Sequence, residues 1–195
     1  MTASYIETEN NQNSANSRYI MTLGSHCSLQ VLKGAKDEGF ETLLICEEKR
    51  LSLYKRFKFI DKLIVLDNFQ NLLDGDFQKK LVDEYNPILI PHGTLISSIS
   101  MDDLEKIKIP IFGNKWILRW ESDRSLKQRL MNESLLPAPQ QILSKNDIDG
   151  LSIVKLHGAA GGKGYFLVTD KKSFEEQSQK LVEDGIIDSE NQLFI

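Results

Sequence analysis

The densest chemical signal in the chain is a run of small residues near its C-terminal end. Gly158-Ala-Ala-Gly-Gly-Lys-Gly164 sets four glycines and two alanines around a single lysine. With so few side chains, backbone N–H groups can approach a polyphosphate closely, and Lys163 adds a positive charge. The run is not a Walker A loop. That motif needs four residues before its Gly-Lys pair and a Ser or Thr after it, whereas three separate Gly158 from Gly162 and Gly164 follows the lysine. Nor is it a dinucleotide fingerprint, which must open a helix after a first strand. Here Tyr165-Phe-Leu-Val168 reads as strand. The pattern predicts a strand–glycine loop–strand hairpin, with Lys155 on the incoming strand Leu151 to Leu156 and His157 at its exit. A lysine inside an apolar strand is costly if buried unpaired, so Lys155 either meets a ligand or snorkels from the edge of the strand. The bland alternative is a hairpin without a ligand, but this much glycine weakens a hairpin unless exposed backbone has a use.

The chain has three histidines, His26, His92 and His157, and each falls at or near the end of a predicted strand. In doubly wound folds those carboxyl ends are where ligands bind. Gly24-Ser25-His26 leaves one strand and His92-Gly93-Thr94 leaves another of the same predicted sheet, so the two loops are expected to line one crevice. Zinc is a poor rival, since no His-x3-His or Cys-His spacing supplies further ligands.

The elements that must hold these residues follow from periodicity. Tyr19 to Leu23, Thr42 to Cys46, Leu63 to Leu66 and Pro87 to Pro91 are short, almost wholly apolar runs. Helical patterns separate them, over Ser28 to Glu38 with a stop at Gly39 and over Asp76 to Tyr85. Such alternation predicts an α/β domain with a parallel sheet covered on both faces. Ile109 to Gly113 closes this first unit, and the boundary falls within 113–125. After a charged stretch, Lys115 to Arg124, a helix through Met131 that ends before Pro137 leads to the glycine hairpin. A last helix is signalled by a Ser173/Glu176 capping box and a stop at Gly185. Residues 1–18, rich in Asn, Ser, Thr and Glu, read as a disordered or lightly packed leader without the features of a signal peptide. The expected organisation is a leader over 1–18, a Rossmann-like domain over 19–120 and a second unit over 121–195.

Composition narrows the partners. A net charge of -4 argues against nucleic acid or an anionic membrane surface. No apolar run approaches the roughly 20 residues that span a bilayer. Cys27 and Cys46 form no CxxC pair, which fits a reducing cytoplasm.

Thr22-Leu-Gly-Ser-His26, Leu32-Lys-Gly-Ala-Lys36, Tyr54-Lys-Arg-Phe-Lys58, Pro91-His-Gly-Thr94, Phe112-Gly-Asn114, Ile117-Leu-Arg-Trp-Glu-Ser122 and Gly161-Gly-Lys-Gly-Tyr-Phe166 occur in order with compatible spacing. Together they resemble the formate-dependent ligases of archaeal purine synthesis, members of the ATP-grasp superfamily, over residues 19–195. The resemblance implies a doubly wound pre-ATP-grasp domain followed by the first part of an ATP-grasp domain. It implies formylation of 5-aminoimidazole-4-carboxamide ribonucleotide through formyl phosphate, on the way to IMP, with ATP and Mg2+ as cofactors and a full-length homo-oligomer. Ser25, His26, His92 and Thr94 would then face the ribonucleotide. Lys155, His157, Gly158, Gly161, Gly162, Lys163 and Gly164 would face ATP, joined by Arg124, which stands where the superfamily usually has a phosphate-facing lysine.

The chain departs from this family's pattern at three positions. His157 replaces a usual Pro, Ala160 a usual Arg and Thr94 a usual Ser, which keeps the hydroxyl. The family's metal-binding carboxylates come later than Ile195, so this chain alone is expected not to turn over. Glu183, Asp184, Asp188 and Glu190 cluster around a helix end that reads as solvated surface. The alternatives are another ATP-grasp carboxylate–amine ligase and a non-catalytic nucleotide-binding module.

Overall fold

A computed structural model describes residues 18–156 and 164–195, and these form two compact units, one ending at Arg119 and the other beginning at Trp120. In the first unit the elements run β1 (Tyr19–Leu23), α1 (Ser28–Asp37), β2 (Glu41–Glu47), α2 (Glu48–Tyr54), β3 (Lys62–Leu66), α3 (Gly75–Tyr85), β4 (Ile88–Leu89), α4 (Gly93–Ser98) and α5 (Met101–Leu104). The sheet is wholly parallel, in the order β3-β2-β1-β4. Residues of alternate parity point to opposite faces. Met21, Leu23, Leu43, Ile45 and Leu89 meet α3, α4 and α5, while Leu44, Cys46, Leu63 and Val65 meet Leu32 of α1 with Leu51 and Tyr54 of α2. Both faces being covered explains why these strands read as unbroken apolar runs.

The amino end of the sheet is pinned by a buried carboxylate. Asp61 accepts from the Thr42 N–H (2.8 Å), the Thr42 hydroxyl (2.9 Å) and the Lys36 ammonium (2.8 and 2.9 Å). Burial alone would raise this carboxyl, but Lys36 and Thr42 outweigh it and hold Asp61 below the ordinary aspartate range. Phe59 belongs to the same end, its carbonyl accepting from the Thr42 hydroxyl (2.6 Å). The basic run Lys55, Arg56 and Lys58 therefore leads into the amino edge of the sheet.

Helix α6 (Ile117–Ser122) spans the division, and the second unit continues with α7 (Arg124–Glu133), β5 (Ser152–Leu156), β6 (Tyr165–Val168), α8 (Lys171–Glu183) and β7 (Leu193–Phe194). Strands β6-β5-β7 make an antiparallel sheet whose inner face packs Val154 and Val168 on Phe174 and Ile148.

Several boundaries differ from the sequence reading. The fourth strand shrinks to Ile88–Leu89: Ile90 still gives its N–H to the Met21 carbonyl of β1, but its own carbonyl takes the Thr22 hydroxyl, and Pro91 has no N–H to carry the ladder on. The box on the last helix is Asp170 with Ser173, not Ser173 with Glu176: the Asp170 carboxylate accepts from the Ser173 N–H and the Ser173 hydroxyl accepts from the Asp170 N–H. Asp170 caps as well as a serine would and lies three positions before Ser173, so the helix starts earlier. His92-Gly93-Thr94 is the start of a helix rather than a loop.

Candidate functional site

From β1 the chain passes through Gly24–Cys27 to α1 on one face of the sheet. From β4 it passes through His92 to α4 on the other face. Because β4 lies on the opposite side of β1 from β2, these two connections diverge between neighbouring strands. That is the topological switch point, where open α/β sheets hold their ligands.

Polar side chains meet across the opening. The hydroxyls of Ser25 and Thr94 are hydrogen-bonded to each other, although 69 positions separate them in the chain. His92 braces the same place: its Nε2 donates to the Leu23 carbonyl (2.9 Å) and its Nδ1 accepts from the Thr94 N–H (3.3 Å). With both nitrogens engaged, His92 is the N-cap of α4 and ties the end of β1 to the start of that helix. Thr22 adds a bond from its hydroxyl to the Ile90 carbonyl (3.1 Å). Ser25 and Thr94 are half-buried, whereas His26 and Cys27 are exposed. A third connection ends nearby: Ile111 bridges Leu89 in parallel, and Phe112, 67% exposed, continues past it.

The Ser25–His26 turn is held from below. Gly24 donates its N–H to the Ile45 carbonyl (2.7 Å), and a β-carbon there would lie 2.8 Å from both Cys46 Cβ and Tyr54 Cε2. The Ser28 hydroxyl donates to the Ser25 carbonyl (2.7 Å) and accepts from the Ser25 N–H (3.2 Å). Sequence reasoning missed Ser28 and Tyr54; the one signal for them was the glycine at a strand end, which marks a close approach.

In the second unit the hairpin Ser152↔Val168 to Lys155↔Tyr165 closes on Gly164, whose carbonyl accepts from the Leu156 N–H (2.9 Å). Arg124, the first residue of α7, donates from Nε to the Leu156 carbonyl (3.2 Å), at the root of the glycine loop. Lys155 is exposed, beside Ile153, Tyr165 and Leu167, which are 49%, 53% and 48% accessible. The expected cost of burial therefore does not apply to it; Lys155 stands on the open face of the sheet. His157, Gly158, Gly161, Gly162 and Lys163 lie outside the described residues. Of the acidic cluster, Glu190 is engaged by Lys145 (2.8 Å) and by the Ser178 hydroxyl (2.8 Å), and Lys145 holds its carboxyl below the ordinary range. Among the described residues, no group of three or more His, Cys, Asp or Glu is arranged to hold a metal, and no helix is long and apolar enough to cross a membrane.

A doubly wound parallel sheet, followed by an antiparallel hairpin unit, gives the chain the α/β class of a pre-ATP-grasp domain with the first part of an ATP-grasp domain. The ADP complex of purK, an N5-carboxyaminoimidazole ribonucleotide synthetase, shares this fold at a TM-score of 0.65 and 13% identity, over 86% of this chain and 45% of that one. Residues 20–142 match the family described as "Protein of unknown function (DUF1246)", and the chain belongs to it. It is 54% identical over 176 residues to the 5-formaminoimidazole-4-carboxamide-1-(beta)-D-ribofuranosyl 5'-monophosphate synthetase of Nitrosopumilus maritimus, covering 90% of this chain and 51% of that protein. The synthetase of the same name from Methanocaldococcus jannaschii is 46% identical over 173 residues, 88% of this chain and 48% of that protein. The crystal structure of an IMP biosynthesis protein PurP from Thermococcus kodakaraensis matches at a TM-score of 0.60 and 28% identity, over 76% of this chain and 48% of that one. The chain thus spans about half the length of the curated relatives it matches.

Proposed function

We propose that this chain supplies the ribonucleotide pocket and part of the ATP site of a ligase that formylates 5-aminoimidazole-4-carboxamide ribonucleotide. The reading rests above all on the Ser25–Thr94 contact, which puts two hydroxyls and the neighbouring His26 at a switch-point crevice. Hydroxyls and an imidazole suit a small ligand bearing ring nitrogens, a carboxamide and an amine. Helix α1 begins at the same crevice, and its N-cap, Cys27, gives no side-chain bond to the first turn. Those amides and the helix dipole favour the ligand's phosphate.

Formate is a poor electrophile. Transfer to an amine requires the carboxylate oxygen to be made a leaving group: that oxygen attacks the γ-phosphorus of ATP, ADP departs and formyl phosphate forms. The amine attacks the formyl carbon, phosphate departs and the amine loses a proton. On this reading Lys155, Arg124 and the glycine loop with Gly164 attend the nucleotide phosphates, and excluding water protects the acyl phosphate. Magnesium, when bound, would supply positive charge against the phosphates; among the described residues no group of three or more His, Cys, Asp or Glu is arranged to hold it, and no step here is assigned to it. A cytoplasmic setting suits such chemistry.

Calorimetric titration of the ribonucleotide and of ATP tests the reading. Thr94→Val is expected to weaken the ribonucleotide about tenfold, the loss of one well-placed hydrogen bond, and to leave ATP unchanged. Lys155→Ala is expected to show the reverse selectivity. If the folded chain binds neither ligand, the proposal loses its basis.

A further inference from the structure

Tyr54 closes α2, far from the crevice in sequence, yet it is 1% exposed and its side chain touches the turn that carries His26. Side chains on a helix lean toward its N-terminus. Helix α2 starts at the carboxyl end of β2, so this lean brings the Tyr54 ring back up toward the strand tips. There the ring edge occupies the space a β-carbon on Gly24 would need, at 2.8 Å. Its hydroxyl donates to the Ser25 carbonyl (3.3 Å) and lies 3.1 Å from the Ser28 hydroxyl, which donates to that carbonyl too (2.7 Å). Two hydroxyls from different elements therefore converge on the one carbonyl between Gly24 and His26. Nothing about packing alone requires this: a phenylalanine would fill the same volume in the cluster of Leu32, Leu44, Cys46 and Leu51.

We infer that Tyr54 is a positioning residue for the ribonucleotide pocket: its ring sets the height of the Gly24–His26 turn, and its hydroxyl sets the turn's rotation. This inference rests on the proposed function of that crevice. A Ser25 carbonyl held by both Tyr54 and Ser28 fixes the peptide plane leading to His26, and with it the direction of the imidazole. It also fixes the Ser25 hydroxyl against Thr94. Without the phenol, the turn keeps its volume and both bonds that Ser28 gives the Ser25 carbonyl, from its hydroxyl (2.7 Å) and its N–H (3.3 Å), but loses the one restraint that comes from α2. The consequence belongs to ligand affinity more than to stability, because angular misplacement at a binding group is felt directly by the ligand.

The test is a double-mutant cycle read by calorimetry, using the ribonucleotide as ligand and ATP as control. Tyr54→Phe keeps the ring and is expected to weaken ribonucleotide binding about fivefold, with ATP binding and the circular dichroism spectrum unchanged. In the background of His26→Ala there is little left to aim, so adding Tyr54→Phe is expected to cost less than about twofold. Wild-type affinity in Tyr54→Phe overturns the inference. So does an equal penalty in both backgrounds, an equal loss of ATP binding, or loss of the fold, each of which would make Tyr54 a structural residue only. Failure of the wild-type chain to bind the ribonucleotide appears before any variant is compared, and it removes the reading of the crevice and this inference together.

Discussion

Gly24 shows how narrow the tolerance around the candidate pocket is. Its conformation is open to any residue, but the space is not: Cys46 and Tyr54 crowd the position where a side chain would begin. Gly24→Ala is expected to destabilise the first unit by about 2 kcal/mol, because a buried methyl can be accommodated only by moving strand β2 or the Tyr54 ring. Urea denaturation measures this, and unchanged stability would mean that the turn yields freely. At this scale the position of the candidate site was legible. Ser25, His26, His92 and Thr94 could be picked out because strand ends were recognisable and polar residues followed them. The division of labour among them was not. His92 turned out to be an N-cap with both nitrogens occupied, a role that depends on where Leu23 and Thr94 come to rest in space. The part played by Tyr54 was hidden for the same reason, since nothing in its own neighbourhood of the sequence points 29 positions back to Ser25.

Among the elements, the strands of the sheet were readable because burial on both faces leaves an unbroken apolar signature, as in Thr42-Leu-Leu-Ile-Cys46, all of it buried. Helix ends were readable where glycine takes the left-handed conformation, at Gly39 (φ 83) and Gly185 (φ 66). Helix α7 ends in the same way without a glycine. Leu136 donates to the Met131 carbonyl and Leu135 to Asn132, with Leu135 at φ 54 and 91% exposed. A leucine there gives no local stop signal, and Pro137 was the only marker. Short helices such as α2 and α4 were missed, being seven and six residues long with no room for a periodic pattern.

The pin joining α1, β2 and β3 makes the sheet's stability depend on pH. Asp61 lies below its ordinary range, so its contribution is present above about pH 3.9 and fades as the pH falls through the lower folded value. Lys36 works at the other extreme. Burial would lower it, but Asp61 raises it above its ordinary value, so its contribution is lost only as the pH rises past about 10.4. Glu41, raised by burial and then by Asp61, has the opposite sign to Asp61 and is a small cost at neutral pH. Asp61→Asn is expected to lose about 2 kcal/mol at pH 7, since Lys36 keeps its charge but loses the nearer of its two carboxylates, keeping only Glu41 at 3.5 Å. Chemical denaturation of both proteins at pH 7 and pH 3 should show the difference shrinking in acid. A difference independent of pH would show that Asp61 acts through shape alone.

For the molecule as a whole, the central claim is that the crevice between β1 and β4 holds the ribonucleotide, and the chain carries its own probe of it. Cys27 is exposed, follows His26 directly and caps α1. Cys46 is buried behind Gly24, and burial together with Glu48 and Glu47 pushes its thiol up to about 11. It remains a protonated thiol at neutral pH and is slow to alkylate, so it serves as an internal reference. The most direct measurement is the rate of iodoacetamide labelling at Cys27, followed by mass spectrometry, as the ribonucleotide is titrated in. The expected result is a Cys27 rate that falls at least fivefold as the ribonucleotide saturates, roughly the effect of covering an exposed thiol, with ATP alone giving no protection and Cys46 unlabelled until the protein unfolds. A Cys27 rate that stays constant while the ribonucleotide binds would put the ligand elsewhere and contradict the account.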